Sequence, residues 1–543
     1  MDGVSGSPPG RVRNHSLRRR ASAAVGHLPR SVWILAALYM VLGVWWSVIV
    51  PVGDPPDESS HFDLVAHVAE SGSYPDYDGR LLSVSAGFLS GLGSAKTPEA
   101  APQRGTRQTF SESDRPIYWT DQNTGEKQPV LNQMPQHPPL YYTVAASALR
   151  TVRGVAGGEL PIDREVKFLR LMGVVMISPV PFAAYVAAER LGASASASKA
   201  SAVMTLAVPQ VLHVGAAVSY MPLAIGAGAV LAVFVAGVIG GDARRSTAGF
   251  IGAVGAICLW TISSSVFLLA GVGLAYLHLA RTGSADRRLV ARRAILALGT
   301  GAVLGSPWWI RNLIRHGTPI PSTDSDYYGS LRPSDGFAAD PGHLLTFAWD
   351  VLPQRFFGAF GTVFDAQLRG PVVVLLVILS GLGIVAALVP RRLGADDGLT
   401  GSRVAVFLAP LVFVLAFVLY RSWDLYEMSG FITFLQGRYL FIAIVPFAVA
   451  VGAGLTRLVG RWAPVALLVV AGLAQLEGSR AVLDTWWAEP SASLARELRA
   501  VSRWNAGFDA LPVVLLLTMA MLGVWGMISL LRFRDPGTDQ PLG

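Results

Sequence analysis

Long apolar runs separated by short polar segments dominate the chain. Windows of about 20 residues, the length that crosses a bilayer as a helix, select twelve runs, and these are continuous instead of alternating like barrel strands. The pattern predicts an all-α polytopic membrane protein. The windows lie near 31–50, 167–188, 199–219, 221–240, 246–260, 263–280, 291–310, 371–390, 403–421, 439–457, 462–479 and 511–531.

The boundary between the fifth and sixth of these windows admits two interpretations. Trp260-Thr261-Ile262-Ser263-Ser264-Ser265 interrupts an apolar stretch, 249–280, that is short for two spans. A single long tilted helix is the alternative there. It would reverse the direction of every later span.

Composition agrees with a membrane protein. The 543 residues are 52% hydrophobic and 15% charged, and the single cysteine excludes a disulfide within the chain. Lys and Arg number 44 against 36 Asp and Glu, a formal net charge of +8. In a soluble protein this excess would suggest nucleic acid, but here the arginines gather in short loops between spans. We therefore expect anionic membrane lipids as partners and no nucleic acid.

The arginines also predict the orientation. Six of them precede the first span, and the alternation of spans then gives every interior loop basic residues, as the positive-inside rule requires. The N-terminus and C-terminus are predicted to be cytoplasmic. Residues 1–30 are predicted to be a disordered basic tail, 31–460 the main transmembrane unit, and 461–543 further transmembrane helices with a short cytoplasmic tail. Exterior segments are then expected at 51–166, 311–370 and 421–438.

The first exterior segment opens with ionisable residues. Asp54 is a plausible N-cap of a helix reaching about Glu70, with Asp57 and Glu58 in its first turn. First-turn carboxylates are favoured by the helix dipole alone. However, both also lie one turn before His61, so these side chains can converge as a general base or as ligands of Mg²⁺ or Mn²⁺.

Three further exterior groups accompany this cluster. His137-Pro138-Pro139-Leu140-Tyr141-Tyr142 starts a helix predicted to lie in the membrane interface, where anchoring alone would explain the tyrosines. Arg311 follows two tryptophans, and Arg438 and Tyr439 follow Gly437. Arginine forks match phosphate oxygens, although Arg438 can also be an ordinary snorkelling residue.

Together these motifs carry a resemblance. Asp57-Glu58 followed by the 137–142 motif resembles the integral-membrane glycosyltransferases of the GT-C superfamily. The finer set is similar to a bacterial family of predicted membrane proteins of unknown function within or near that superfamily, over about residues 31–460. This set comprises Pro55-Pro56-Asp57-Glu58 with His61, Trp309-Ile310-Arg311-Asn312 and Gln436-Gly437-Arg438-Tyr439.

The resemblance implies transfer of a sugar from a polyprenyl-phosphate carrier to an envelope glycan, lipid or protein, with inversion. The active site would face the exterior of a bacterial cytoplasmic membrane. Asp57 would be the general base, and Glu58 would complete the catalytic pair by orienting Asp57 or positioning the acceptor. The substrate-binding residues would be His61, His137, Tyr142, Arg311, Arg438 and Tyr439. Some relatives use a divalent metal and others none, so metal dependence stays open.

One departure and two alternatives accompany this expectation. Many superfamily members carry a polar pair at the exterior turn after their third span, where this chain has Val218-Ser219-Tyr220-Met221-Pro222 and no carboxylate. That leaves open a diverged or inactive enzyme. A transporter or lipid flippase is a second hypothesis, although the predicted span centres are nearly free of charge and no repeat is evident. A non-catalytic scaffold for envelope assembly is the third.

Overall fold

The computed structural model describes residues 28–93, 115–122, 130–283, 285–362, 364–390, 399–487, 493–505 and 510–532. The predicted N-terminal tail up to residue 27 and the C-terminal tail from 533 lie outside the described residues, as do 94–114 and 123–129 of the first predicted exterior segment.

The described chain is built almost entirely from helices. The first ten are α1 Arg30–Ile49, α2 Glu58–Ser71, α3 Val84–Gly93, α4 Leu140–Ala156, α5 Ile162–Ile177, α6 Val180–Leu191, α7 Ala195–Met204, α8 Pro209–Gly215, α9 Met221–Ile239 and α10 Arg245–Leu259. The next six are α11 Val266–Thr282, α12 Arg287–Gly305, α13 Pro307–His316, α14 Thr323–Ser330, α15 Pro341–Phe357 and α16 Gly370–Leu388. The last five are α17 Gly401–Ser429, α18 Ile444–Val459, α19 Ala463–Trp486, α20 Leu494–Trp504 and α21 Leu511–Leu531.

Short 3-10 helices and one two-stranded sheet complete the described structure. The 3-10 helices are Met134–Gln136, Thr205–Ala207, Ser263–Ser265, Gly437–Ala443 and Gly460–Trp462. Strands β1 Ala359–Phe360 and β2 Ala366–Gln367 pair antiparallel, with Ala359 opposite Gln367. The structure is thus the all-α bundle that the apolar runs predict.

Every predicted window falls on helical structure, but not every window is one long helix. Within the described residues, eight segments are long and apolar enough to cross a membrane, and nine if the bent pair α12–α13 forms one span. One of the eight, Gly437–Trp486, contains both α18 and α19 on either side of the turn at Gly460–Trp462. The structure supports a multi-pass membrane protein, and the number of twelve crossings remains a prediction.

The window at 199–219 is broken, contrary to the expectation of one span. α7 ends at Met204, a 3-10 turn follows, and α8 begins only at Pro209. Proline has no N–H to donate and disfavours helical geometry in the residue before it. Val208 accordingly has φ −117° and ψ 84°. The break leaves a short buried helix and an irregular segment, 216–220, next to α2.

The alternative of one long helix over 249–280 is wrong. α10 ends at Leu259, and α11 begins at Val266 after a turn that includes a 3-10 helix at Ser263–Ser265. α10 is apolar, but with 15 residues it is shorter than the eight segments that are long enough to cross a membrane. Part of the turn reaches the cavity described below.

The first polar segment is tied to α2 by a buried carboxylate. Asp63 accepts hydrogen bonds from Arg80 at 2.9 and 3.0 Å, from the Tyr118 hydroxyl at 3.0 Å and from Asn132 at 2.8 Å. Arg80 and Asp63 are both almost fully buried. A buried charge is tolerated only when it is paired and hydrogen-bonded. The network therefore holds Arg80, Tyr118 and Asn132 against α2, which begins at the candidate site.

Candidate active site

Three segments that the arginine pattern places on one side of the membrane converge on one cavity. Its volume is about 450 Å³, within the range of small-molecule sites. The wall combines charged, amide and hydroxyl groups with aromatic rings. Its members include Asp57, His61, Gln136, His137, Tyr220, Ser263, Trp309, Ser325, Tyr328, Phe417, Arg421, Phe434, Gln436, Arg438 and Tyr439.

Asp57 holds an unusual backbone conformation at the cavity wall. Its φ of 60° and ψ of 13° lie in the left-handed region, which residues other than glycine rarely adopt. α2 begins at Glu58 and not after Asp54, so Asp57 is the N-cap, and its side chain makes no capping hydrogen bond. Its carboxylate instead accepts a 2.7 Å hydrogen bond from Arg438. Helix capping therefore does not account for this carboxylate.

Glu58 does not reach the cavity. Its side chain is fully buried and forms a two-pronged ion pair with Arg170 of α5, at 2.8 and 2.5 Å. It also accepts from the backbone N–H of Gly53 at 2.8 Å and of Val218 at 3.0 Å. Arg170 further donates to three carbonyls at the end of α1, those of Ser47, Val50 and Pro51. The prediction of Glu58 as a catalytic residue is therefore replaced by a structural role in holding the loop before Asp57.

Arg438 lies directly beside Asp57 in the cavity wall. It lies in the 3-10 helix Gly437–Ala443, where a Cβ on Gly437 would lie 2.5 Å from the carbonyl carbon of Arg355, so only glycine fits. The guanidinium also stacks on Tyr439 at 5.6 Å. Its Nε is buried and has no hydrogen-bond partner among the described residues. Arg438 thus retains a donor beyond the one it gives Asp57.

The charges in this part of the cavity follow from burial and proximity. Burial raises the pKa of Asp57, but the nearby Arg438 cation and its hydrogen bond outweigh burial and keep the pKa below its usual value. Burial lowers the pKa of His61 to about 3 and that of His137 to about 4, although Asp57 opposes both shifts. At neutral pH Asp57 is therefore ionised and both imidazoles are neutral.

The histidines stand in an aromatic cluster. The His61 and His137 rings are 6.4 Å apart, and Tyr220 lies 4.3 Å from His137 and 5.4 Å from His61. Tyr142, predicted as substrate-binding, is fully buried behind this cluster, and its hydroxyl lies 2.8 Å from Nδ1 of His61. Tyr142 does not line the cavity itself, but it contacts His61, which does. We therefore assign Tyr142 a supporting role in place of direct substrate contact.

Arg311 lies outside the cavity wall. It donates to Asp76 and, at 2.9 Å, to Asn312, and it stacks on Trp308 at 4.7 Å. The adjacent Trp309 does reach the cavity. α13 is bent by 49° from α12. The bend directs Arg311 toward the loop that contains Asp76. Arg311 is therefore placed outside the cavity, and the prediction that it binds substrate is not supported.

Tyr220 and Arg421 are among the cavity residues that the sequence analysis missed. Tyr220 belongs to the turn that was noted only for lacking a carboxylate, yet this turn supplies its ring to the cavity and the Val218 N–H to Glu58. Arg421, near the end of α17, donates to Asp424 and to the hydroxyl of Ser325. Arg421 lies in a segment predicted to be exterior, where the positive-inside rule disfavours arginine, and this was the available signal.

The described residues do not form a metal site. Among them, no three side chains of the His, Cys, Asp or Glu type are arranged to hold a metal ion. The carboxylate nearest the histidines, Asp57, is already paired with a cation. A divalent ion needs several oxygen or nitrogen ligands. We therefore derive no chemical step through a metal.

Comparison with known proteins places the chain in a family. Solved structures similar in shape include ArnT from Cupriavidus metallidurans bound to undecaprenyl phosphate, with a TM-score of 0.46, and its apo state, with 0.44. Both are 14% identical in sequence, with 94% of this chain and 76% of that chain covered. No curated protein has a significant match. The model of a family described as predicted membrane protein (DUF2142) matches residues 40–449. The resemblance of the motifs to a family of predicted membrane proteins is confirmed by this match, and the chain belongs to the DUF2142 family.

Proposed function

We propose that this protein is a membrane glycosyltransferase that moves a sugar from a polyprenyl-phosphate carrier to a hydroxyl of an envelope glycan, lipid or protein. The observation that carries the proposal is the Asp57–Arg438 pair in the wall of a polar and aromatic cavity. An ionised carboxylate beside an arginine cation in the cavity wall supplies both a base and a positive charge that can bind an anion. The motif resemblance to GT-C enzymes supports the same assignment.

The proposed reaction uses these two neighbouring groups, which contact each other in one part of the cavity wall. Asp57 takes the proton of the acceptor hydroxyl while that oxygen attacks the anomeric carbon. The bond from the anomeric carbon to the phosphate oxygen breaks, and its electron pair leaves with the polyprenyl phosphate. Arg438 stabilises the charge that develops on this phosphate. Attack opposite the leaving group inverts the anomeric configuration.

The rest of the cavity suits such substrates. Gln136, Gln436 and Ser263 can hydrogen-bond sugar hydroxyls, and Tyr220 and Trp309 offer rings on which a sugar can stack. Phe417 and Phe434 form an apolar part of the wall, and Phe417 lies on α17, part of a candidate span. An isoprenoid chain arriving from the bilayer would meet this apolar part. We place the site on the exterior face of a bacterial cytoplasmic membrane, in agreement with the arginine pattern.

The test is a comparison of envelope glycans from a strain lacking this protein and from complemented strains. We expect one sugar to disappear in the deletion and to return with the wild type but not with Asp57→Asn. Removing a general base typically lowers a rate by about 10²–10⁴-fold. The variant must be present in the membrane in normal amount.

Asp76→Asn is the matched control, because Asp76 also pairs with an arginine but lies outside the cavity wall. It should restore the sugar fully. If Asp57→Asn restores it as well, Asp57 is not the base. An unchanged glycan profile in the deletion strain would instead favour a transporter or an assembly scaffold.

A further inference from the structure

His61 reaches the cavity with one ring nitrogen already engaged. Its Nδ1 lies 2.8 Å from the hydroxyl oxygen of Tyr142, a residue of α4 that is fully buried. His61 itself is only 3% exposed and forms part of the cavity wall. The two helices that carry these side chains, α2 and α4, pack against each other. The ring of His61 is thus held from behind by a phenol.

The direction of this hydrogen bond follows from what each group can donate. A neutral imidazole has one N–H and one acceptor nitrogen, whereas a tyrosine hydroxyl has a single proton to donate. If Nδ1 carried the hydrogen, the buried hydroxyl proton of Tyr142 would need another acceptor, and none is found among the described residues. A buried donor without a partner is costly. The arrangement that satisfies both groups has Tyr142 donating to Nδ1.

The surroundings keep His61 neutral. The groups that face it are Asp57 from the start of α2, His137 from the loop before α4, Tyr220 from the turn before α9, and Arg438 from the 3-10 helix. Burial lowers the pKa of His61 to about 3, and Arg438 and His137 act in the same direction against Asp57. A hydrogen bond accepted by neutral Nδ1 also disfavours protonation.

We propose that Tyr142 is a positioning residue that fixes His61 as the neutral tautomer protonated on Nε2. His61 then presents a hydrogen-bond donor to a substrate oxygen in the cavity and does not act as a second base beside Asp57. Proton acceptance stays with Asp57 alone. The role in the reaction rests on the proposed function, but the tautomer does not.

The tautomer can be measured without any substrate. The protein is labelled with nitrogen-15 on its nine histidines, reconstituted in bilayers and examined by solid-state NMR, and the His61 signals are identified as those missing in His61→Gln. We expect protonated Nε2 and unprotonated Nδ1, unchanged from pH 8 to about 5 because the group stays neutral. Protonated Nδ1, or an imidazolium in this range, would overturn the proposal.

Two phenylalanine variants separate the hydrogen bond from packing. Tyr142→Phe should shift the His61 signals toward a mixture of tautomers and raise the pH at which they become cationic. Tyr141→Phe is the matched control, since the hydroxyl of this buried neighbour forms no hydrogen bond to another side chain in the described part of the chain. It should leave the His61 signals unchanged. An identical spectrum for Tyr142→Phe and wild type would contradict the proposal, and if Tyr142→Phe does not accumulate, the wild-type spectrum still decides.

An activity measurement tests whether Tyr142 affects sugar transfer by positioning His61. Sugar transfer by Tyr142→Phe should fall roughly tenfold, the usual scale for one neutral hydrogen bond. In a His61→Gln background the same change should have no further effect, because Tyr142 acts only through His61. Independent losses from the two changes would overturn the positioning role. A failure of the glycosyltransferase proposal would appear as no transfer by the wild type, with the NMR result unaffected.

Discussion

Asp57 and Glu58 are neighbours in the chain, but their carboxylates have different surroundings. Asp57 precedes α2 in a left-handed conformation and meets Arg438 in the cavity. Glu58 is the first residue of the helix and points into the bundle, where Arg170 neutralises it. A backbone conformation of this kind costs about 1–3 kcal/mol and persists only where the surroundings determine it. The Glu58–Arg170 pair, which binds the backbone before Asp57 at Val50, Pro51 and Gly53, provides that support.

Breaking this ion pair should destabilise the protein. Glu58→Gln leaves the Arg170 guanidinium buried without a counter-charge, and removing one partner of a buried pair costs about 3–5 kcal/mol. We expect reduced accumulation in the membrane and a lower melting temperature of the purified protein in detergent. Asp57→Asn is the comparison, because its pair with Arg438 is partly exposed, at 29% and 14%. Equal stability of Glu58→Gln and Asp57→Asn would contradict the structural role of Glu58.

At the scale of elements, hydropathy predicted where helices lie but not where they break. Each window is helical because twenty apolar residues in lipid have few other ways to satisfy the backbone. The break at Val208-Pro209 could not be predicted from hydropathy, because it depends on the local backbone geometry that proline imposes. The irregular turn after α8 places the Val218 N–H against Glu58 and Tyr220 beside His137. An apolar count over a window cannot reveal such a contact, since it depends on a second segment distant in the chain.

For the candidate site as well, the sequence predicted part of the structure and missed another part. Asp57, His61, His137, Arg438 and Tyr439 were predicted from short motifs, and the structure brings them to one cavity. Motif resemblance names residues but not the direction of their side chains. For this reason Tyr142 and Arg311 were predicted to bind substrate, and Glu58 to orient Asp57 or position the acceptor. The structure gives all three side chains buried or external partners.

The 3-10 helix that carries Arg438 depends on one glycine. A methyl group at position 437 would overlap the backbone of Arg355 in α15, which is not free to move as a flexible side chain would be. Gly437→Ala should displace Arg438 and destabilise the protein by about 1–3 kcal/mol, the usual cost of overpacking. We expect sugar transfer to fall more than protein amount. Gly299→Ala on α12, where an added Cβ meets nothing within 4 Å, should change neither quantity.

For the molecule as a whole, the cavity connects the fold to the membrane topology. Segments 51–166, 311–370 and 421–438 were assigned to one side of the bilayer from arginine positions alone. Residues from all three segments meet in the cavity wall. Segments on opposite faces of a bilayer would be separated by about 30 Å of hydrocarbon. Their relative placement is thus consistent with the structure, whereas the absolute orientation is still a prediction.

Cysteine labelling would determine that orientation. The single cysteine, Cys258, is buried, so Cys258→Ser provides a background for Ser334→Cys and Ser246→Cys, both at exposed positions. A maleimide that cannot cross membranes should label position 334 in intact cells, and position 246 only after permeabilisation. The reverse pattern would place Asp57 and Arg438 on the cytoplasmic face, out of reach of a lipid-linked sugar displayed outside. In that case the proposed location of the reaction would be wrong, even if both residues still bind a phosphate and a hydroxyl.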